Sequence, residues 1–300
     1  MRAAPPIIIC ALLLALVGGC GGGGDGAPVQ AVATTTQVAD LVSNVAGERA
    51  SVDSILRPNS DPHDYEPRPS DAIAVAQADV VFRSGGDLDG WLDDVLDSAG
   101  GDAKQVTLID SVRRDGDDPH WWQDPRNAIL AVRTIRDALI EADPKGRAGY
   151  ERRAAAYTRR LRTLDTQVAR CIGRIPAAQR KLVTTHDALG YFARRYGIEV
   201  IGAVIPSLST QAQPSAQDVN ALVDQIEREH VRAVFPEAAL PRKLEQAISR
   251  ESGAQVGGEL WADTLGPTGS SGATYLDSIR SNARTLADGM SGGRVTCDFR

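Results

Sequence analysis

Long apolar runs are scarce in this 300-residue chain. After Ile7–Val17 no stretch approaches the roughly 20 apolar residues that a spanning helix needs, so no transmembrane segment is expected in the body of the chain. A basic excess is missing too. Lys and Arg number 33 against 39 Asp and Glu, for a net charge of −6. This argues against nucleic acid as a partner, since phosphate binding draws on clustered cations in a basic domain. No His-Glu-x-x-His pair occurs, which removes the commonest helix-borne zinc-hydrolase signature. Histidine and cysteine are rare, at four each.

The start of the chain has the layout of an export signal. Arg2 supplies the charge, Ile7–Val17 the short apolar core, and Gly18-Gly19-Cys20 a small-residue ending followed by Gly21–Gly24. The Val-Gly-Gly-Cys ending resembles a bacterial lipobox, which implies a signal peptide over residues 1–19, lipidation of Cys20, and a tether over residues 20–28. A plain signal peptide cut within the glycines is the other reading. Of the remaining cysteines, Cys10 lies in the signal, and Cys171 and Cys297 are left to pair in an oxidising compartment or to remain buried thiols.

From Val29 onward short β-branched runs alternate with amphipathic stretches. Strands are expected at Val29–Thr34, Ser51–Leu56, Val80–Arg83 and Val106–Ile109. Helices are expected at Thr36–Val45, Ser70–Gln77 and Leu88–Ala99. Alternation of this kind specifies βαβ units around a parallel sheet. A second block repeats it: strands at Leu182–Thr185, Glu199–Ile205, Ala233–Pro236 and Gln255–Leu260, and helices at Leu189–Tyr196, Ser215–Glu229, Arg242–Ser252 and Thr274–Met290. Between the blocks, Tyr150, Ala154, Tyr157, Leu161, Leu164 and Val168 recur at three- and four-residue steps, one face of a helix whose other side is rich in Arg. The expectation is an α/β protein with an N-terminal lobe over 29–145, a linking helix over 146–174 and a C-terminal lobe over 175–300. Ligands of open α/β sheets sit beyond the carboxyl ends of strands, so the crevice between the lobes is the expected site.

Chemistry concentrates on the histidines. His63 lies in Asp61-Pro62-His63-Asp64-Tyr65-Glu66-Pro67, His120 in Asp118-Pro119-His120-Trp121-Trp122-Gln123-Asp124-Pro125, and His186 directly follows a strand. Each alone is ordinary. Together they place three imidazoles at strand ends of both lobes, and imidazole suits Zn²⁺ and other late transition metals. Asp263, beyond the last expected strand, is the candidate fourth ligand; His₃Asp closes a tetrahedral shell. If Asp263 did not ligate, the open vertex would suit a zinc hydrolase with Glu237 as base. His230 ends an amphipathic helix, where the helix dipole favours a cation. Asp64, Glu66 and Asp187 read as loop-shaping residues. Glu237 either orients a ligand or caps the next helix. Trp121 and Trp122 wall the site or pack the lobe interface, and Ser207–Ser215 is a surface loop or a shield over the metal.

Asp-Pro-His-Asp-Tyr-Glu-Pro, Asp-Pro-His-Trp-Trp-Gln-Asp-Pro, Thr-His-Asp-Ala-Leu-Gly-Tyr-Phe, Ser-Leu-Ser-Thr-Gln-Ala-Gln-Pro-Ser and Ala-Asp-Thr-Leu-Gly occur here in that order. They resemble the zinc/manganese solute-binding proteins of ABC transporters, and the resemblance covers nearly the whole mature chain. It implies a rigid interlobe helix and metal ligands at His63, His120, His186 and Asp263. It also implies a function in extracytoplasmic capture of metal, with an ABC permease and its ATPase as partners and no enzyme activity. Histidine at the third ligand position places the chain on the zinc side of the resemblance, with manganese as the alternative cargo. The segment before His120, Asp110–Asp118, is short, acidic and free of histidine. This resembles short-loop zinc receptors and leaves open a separate zinc chaperone. A lipid-anchored monomer outside the cytoplasm is expected.

Overall fold

The structure is a computed structural model that describes Met1 and residues 28–299. The signal peptide, Cys20 and the glycine tether lie outside the described residues. Among the described residues no helix is long and apolar enough to cross a membrane.

The N-terminal lobe is built on β1 (Val29–Ala33), β2 (Ala50–Ser54), β3 (Val80–Arg83) and β4 (Lys104–Thr107), all parallel, in the order β2-β1-β3-β4. Helices α1 (Thr36–Ala46), α2 (Pro69–Ala76) and α3 (Leu92–Ala99) connect them. Then follow α4 (Pro125–Ala142) and the long α5 (Arg147–Ile172). In the C-terminal lobe β5 (Lys181–His186) pairs with β6 (Glu199–Ile205), and β7 (Ala233–Val234) with β8 (Gln255–Val256). A parallel bridge from Thr184 to Phe235 joins the two pairs. The resulting order, β6-β5-β7-β8, repeats the order of the first lobe. Helices α6 (Gly190–Tyr196), α7 (Ala216–Arg228), α8 (Lys243–Ser252) and α9 (Tyr275–Ser291) complete the chain.

Several boundaries differ from the sequence expectation. Helix α2 starts at Pro69, whose fixed φ suits the first turn, and Asp71 accepts the Arg68 N–H at 2.7 Å. The helix expected from Leu88 starts at Leu92. The Asp89 carboxylate is instead held by the Thr34 hydroxyl and the Ser84 and Gly85 N–H groups, at 2.7, 2.6 and 3.0 Å. The last strand stops at Val256; Gly257 still donates to the Val234 carbonyl at 2.8 Å but lies so close to the Phe235 ring that a Cβ there would meet it at 2.6 Å.

Helix α5 spans 26 residues, about 39 Å at 1.5 Å per residue. It buries Tyr150, Ala154, Tyr157, Leu161, Leu164 and Val168, with Cys171 and Ile172 at its end. These side chains belong to one continuous apolar core that also takes in Leu41, Ile135, Phe235, Leu260 and Leu286, from both lobes. Smaller clusters cover the far side of each sheet. The polar face of α5 adds directed bonds: Arg153 donates to the Val45 and Ala46 carbonyls, both at 2.7 Å, which closes the C-terminal end of α1. Cys171 and Cys297 form a disulfide, with Cα atoms 5.5 Å apart, that fastens the C-terminal tail to the end of α5.

Candidate metal centre

His63 and His120 both sit in Asp-Pro-His turns. Asp61 Oδ1 accepts the His63 N–H and Asp118 Oδ1 the His120 N–H, each at 2.9 Å. The aspartate fixes the backbone two residues ahead, and proline removes a competing donor between them. His186 is the last residue of β5, and Asp263 follows the parallel bridge that pairs Leu260 with Glu237. Strand ends of both lobes thus deliver one ligand candidate each to the cleft.

The four side chains converge. One ligand atom from each lies within 4.8 Å of every other. Asp263 Oδ2 is 3.3 Å from His63 Nε2 and 3.1 Å from His186 Nε2, and Oδ1 is 3.4 Å from His120 Nε2. A tetrahedron with arms of about 2.0–2.1 Å has edges of about 3.3–3.4 Å, so the carboxylate-to-imidazole spacings fit a zinc-sized ion. The rings lie 5.2–5.6 Å apart, centroid to centroid. His120 and His186 are fully buried; the His63 and Asp263 side chains are 7% and 9% exposed. All three Nε2 atoms and both Asp263 oxygens are buried without a hydrogen-bond partner. Orphaned buried polar atoms are costly, and five of them aimed at one point are the mark of a site for a cation.

The opposite edges of two rings are held by carboxylates. Asp118 Oδ1 lies 2.8 Å from His120 Nδ1. Glu237 Oε2 lies 2.6 Å from His186 Nδ1, while Glu237 Oε1 accepts the His186 N–H at 2.8 Å. A carboxylate on Nδ1 fixes the proton there and leaves Nε2 free to bind metal. Glu237 therefore fixes the His186 ring with its Nε2 toward Asp263. Asp118 does the same for His120, a role that the reading of the sequence passed over. The repeated Asp-Pro-His was its signal.

Asp263 is aimed through its neighbour. The Ala262 carbonyl accepts from Trp122 Nε1 at 2.9 Å, Gln123 Nε2 at 2.9 Å and Gln37 Nε2 at 3.4 Å. The two tryptophans pack in the shared core and the Trp122 ring stands edge-on to His120, 5.4 Å between centroids; its bond to the Ala262 carbonyl is a further contact that was not expected. Burial alone would raise the Asp263 carboxyl pKa, but the charges of His186 and His120 and the close approach of the His186 and His63 rings hold it well below the usual carboxylate range. Burial works against protonated His186, yet Glu237 and Asp263 outweigh it and hold its pKa well above the ordinary value.

Asp64, Glu66, Asp187 and His230 stand outside the cluster. His230 follows α7 with a φ of +53°, at the surface end of the C-terminal lobe. The Ser207–Ser215 loop crosses the cleft: Thr210 donates to Asp61 at 2.7 Å and Gln211 to the His63 carbonyl at 2.6 Å. Beside it a hollow of about 530 Å³, lined by Pro62, His63, Tyr65, Trp91 and Gln211, opens onto His63.

Residues 31–289 match the family described as ZnuA, zinc-uptake complex component A, periplasmic. The chain belongs to this family. It is 34% identical over 272 residues, 89% of this chain and 90% of the relative, to the manganese-binding lipoprotein MntA of Halalkalibacterium halodurans. It is 27% identical over 278 residues, 88% and 89% of the two chains, to the manganese ABC transporter substrate-binding lipoprotein PsaA of Streptococcus pneumoniae. Among solved structures, the periplasmic zinc-binding protein TroA of Treponema pallidum superposes with a TM-score of 0.83 at 29% identity, over 89% of this chain and all of that one. The two-lobed α/β architecture is that of the family. Family members are substrate-binding receptors of metal ABC transporters rather than enzymes, and this chain is one of them.

Proposed function

We propose that the chain captures Zn²⁺ outside the cytoplasm, in the cage of His63, His120, His186 and Asp263, and hands it to an ABC permease driven by its ATPase. The observation that carries this reading is the set of five buried, unbonded ligand atoms facing one another across the interlobe cleft. Three imidazole nitrogens and one carboxylate suit zinc by ligand softness and by geometry. A closed shell fits a receptor, since it leaves no vertex for water and substrate together. Zinc here is cargo, and the continuous core through α5 implies that release comes from a small shift of the lobes and of the Ser207–Ser215 loop rather than a wide hinge. Attachment to the membrane through a lipidated Cys20 belongs to the same proposal.

Manganese is the second reading. Both Asp263 oxygens face the histidines, so a bidentate carboxylate would offer five ligand atoms, and the two curated relatives named above are called manganese proteins. Metal analysis of chelator-treated protein after dialysis against equimolar zinc and manganese decides between the two. Wild type is expected to retain one zinc per chain, and His186→Ala and Asp263→Ala to lose it. Retention of manganese instead would overturn the zinc assignment. Undiminished zinc in Asp263→Ala would overturn the closed shell.

A further inference from the structure

On the flank of the cleft lies a hollow of about 500 Å³ whose lining includes five arginines: Arg113, Arg114, Arg126, Arg194 and Arg195. The first two come from the segment between β4 and α4, Arg126 from the first turn of α4, and the last two from α6, so both lobes contribute. It shares no residue with the metal cage. In a chain of net charge −6, such a concentration of guanidinium groups runs against the bulk.

The carboxylates nearby do not balance it. Asp165 is taken by Arg195, whose Nε and Nη2 donate to it at 2.8 and 2.6 Å, with Arg126 Nε 3.5 Å away. Asp115 pairs with Arg194. The Asp124 carboxylate accepts the Arg126 N–H at 2.8 Å as the cap of α4. Among the described residues Arg113 and Arg114 have no carboxylate within ion-pair distance, although they stand on a fixed frame. Asn127 accepts the Arg113 N–H at 3.1 Å and donates to its carbonyl at 3.2 Å, and the Asp115 N–H donates to the Tyr191 hydroxyl at 2.8 Å. Two guanidinium groups without an ion-pair partner, on a pinned backbone, thus line a hollow whose other arginines, Arg126, Arg194 and Arg195, already belong to ion pairs.

We infer that this hollow binds a small polyvalent oxyanion of the phosphate class. Guanidinium presents a planar fork of N–H donors that matches two oxygens of a phosphate at once, and such charge-assisted pairs are stronger than neutral ones. The volume admits a phosphate with its water or a phosphorylated headgroup, and the phosphate is common to both.

Calorimetry on the full chain at constant ionic strength tests this, with inorganic phosphate and with glycerophosphoglycerol (the headgroup of phosphatidylglycerol without its acyl chains) as titrants. Wild type is expected to bind at one site. Arg113→Ala/Arg114→Ala removes only exposed side chains with no hydrogen bonds of their own, so it should melt like wild type and bind about tenfold more weakly. Arg159→Ala/Arg162→Ala, on the exposed side of α5, is the charge-matched control and should bind like wild type. Stronger binding of inorganic phosphate assigns a free anion, and stronger binding of the headgroup assigns a lipid. No binding of either titrant, or an equal loss in the control pair, overturns the site and leaves only diffuse charge.

Discussion

The two carboxylates behind the histidines use their oxygens differently, and a pair of isosteric substitutions separates them. Glu237 uses both: Oε1 accepts the His186 N–H at 2.8 Å and Oε2 meets Nδ1 at 2.6 Å. Glutamine has one carbonyl oxygen, so Glu237→Gln turns an NH₂ toward one of two donors and breaks a buried bond. Asp118 uses one: Oδ1 takes both the His120 N–H at 2.9 Å and Nδ1 at 2.8 Å. Asn can keep that oxygen in place and loses only charge. Removal of a partner behind a metal ligand costs about 10–100-fold in affinity, or about 1.4–2.7 kcal/mol. Glu237→Gln should fall in the upper part of that range and Asp118→Asn at or below its lower end. Chelator competition for zinc at neutral pH measures both, with circular dichroism as the check on folding. If Asp118→Asn weakens zinc as much as Glu237→Gln, the argument from oxygen count is wrong. If neither changes affinity by twofold, the carboxylates do not orient the ligands at all.

Acidification should weaken zinc binding. The metal displaces the Nε2 proton of His186, whose pKa in the metal-free protein is held above the ordinary value by Glu237 and Asp263 against the opposing effect of burial. Affinity is therefore expected to begin falling above about pH 6.5, as titrations between pH 8 and 5.5 would show; a flat profile would contradict a three-histidine shell. Asp143 is held below the usual carboxylate range, first by its hydrogen bond from Arg49 and also by Tyr150, against a smaller opposing effect of burial. Its stabilising contribution is present above the unfolded value of about 3.9 and is lost as pH falls through the lowered one. Asp143→Asn should accordingly lower the melting temperature at pH 7 and flatten its acid limb. The Cys171–Cys297 bridge closes a separation of 126 residues, for which loop entropy gives roughly 5 kcal/mol. Cys297→Ser should lower the denaturant midpoint accordingly, and an unchanged midpoint would mean that the bridge constrains nothing in the unfolded chain.

Much of the fold was legible because the pattern was redundant. Helix α5 announced itself through six apolar residues at helical spacing, and all six are buried. Strand β6 was read at Glu199–Ile205, its observed span. What escaped was set by contacts remote in sequence. The late start of α3 depends on Asp89 bonding to Thr34 and Ser84. The residues that form the site stood out by scarcity, since three of only four histidines converge. Their supports stood out less. Asp118 reads as one more member of the acidic run Asp110–Asp118 until its position two residues before His120 is noticed. The three donors on the Ala262 carbonyl come from two distant segments that no local pattern connects.

The disulfide also changes what the chain is as a connected object. Residues 171 to 297 form a covalent ring that includes nearly all of the C-terminal lobe, while the N-terminal lobe hangs from that ring as a tail. A single cut in the Ser207–Ser215 loop opens the ring without dividing the molecule. Both halves stay fastened at the end of α5, and His186 and Asp263, on opposite sides of the cut, remain on one molecule. A receptor nicked in this loop would therefore run as one piece until reduced, with His63, His120, His186 and Asp263 all still on it.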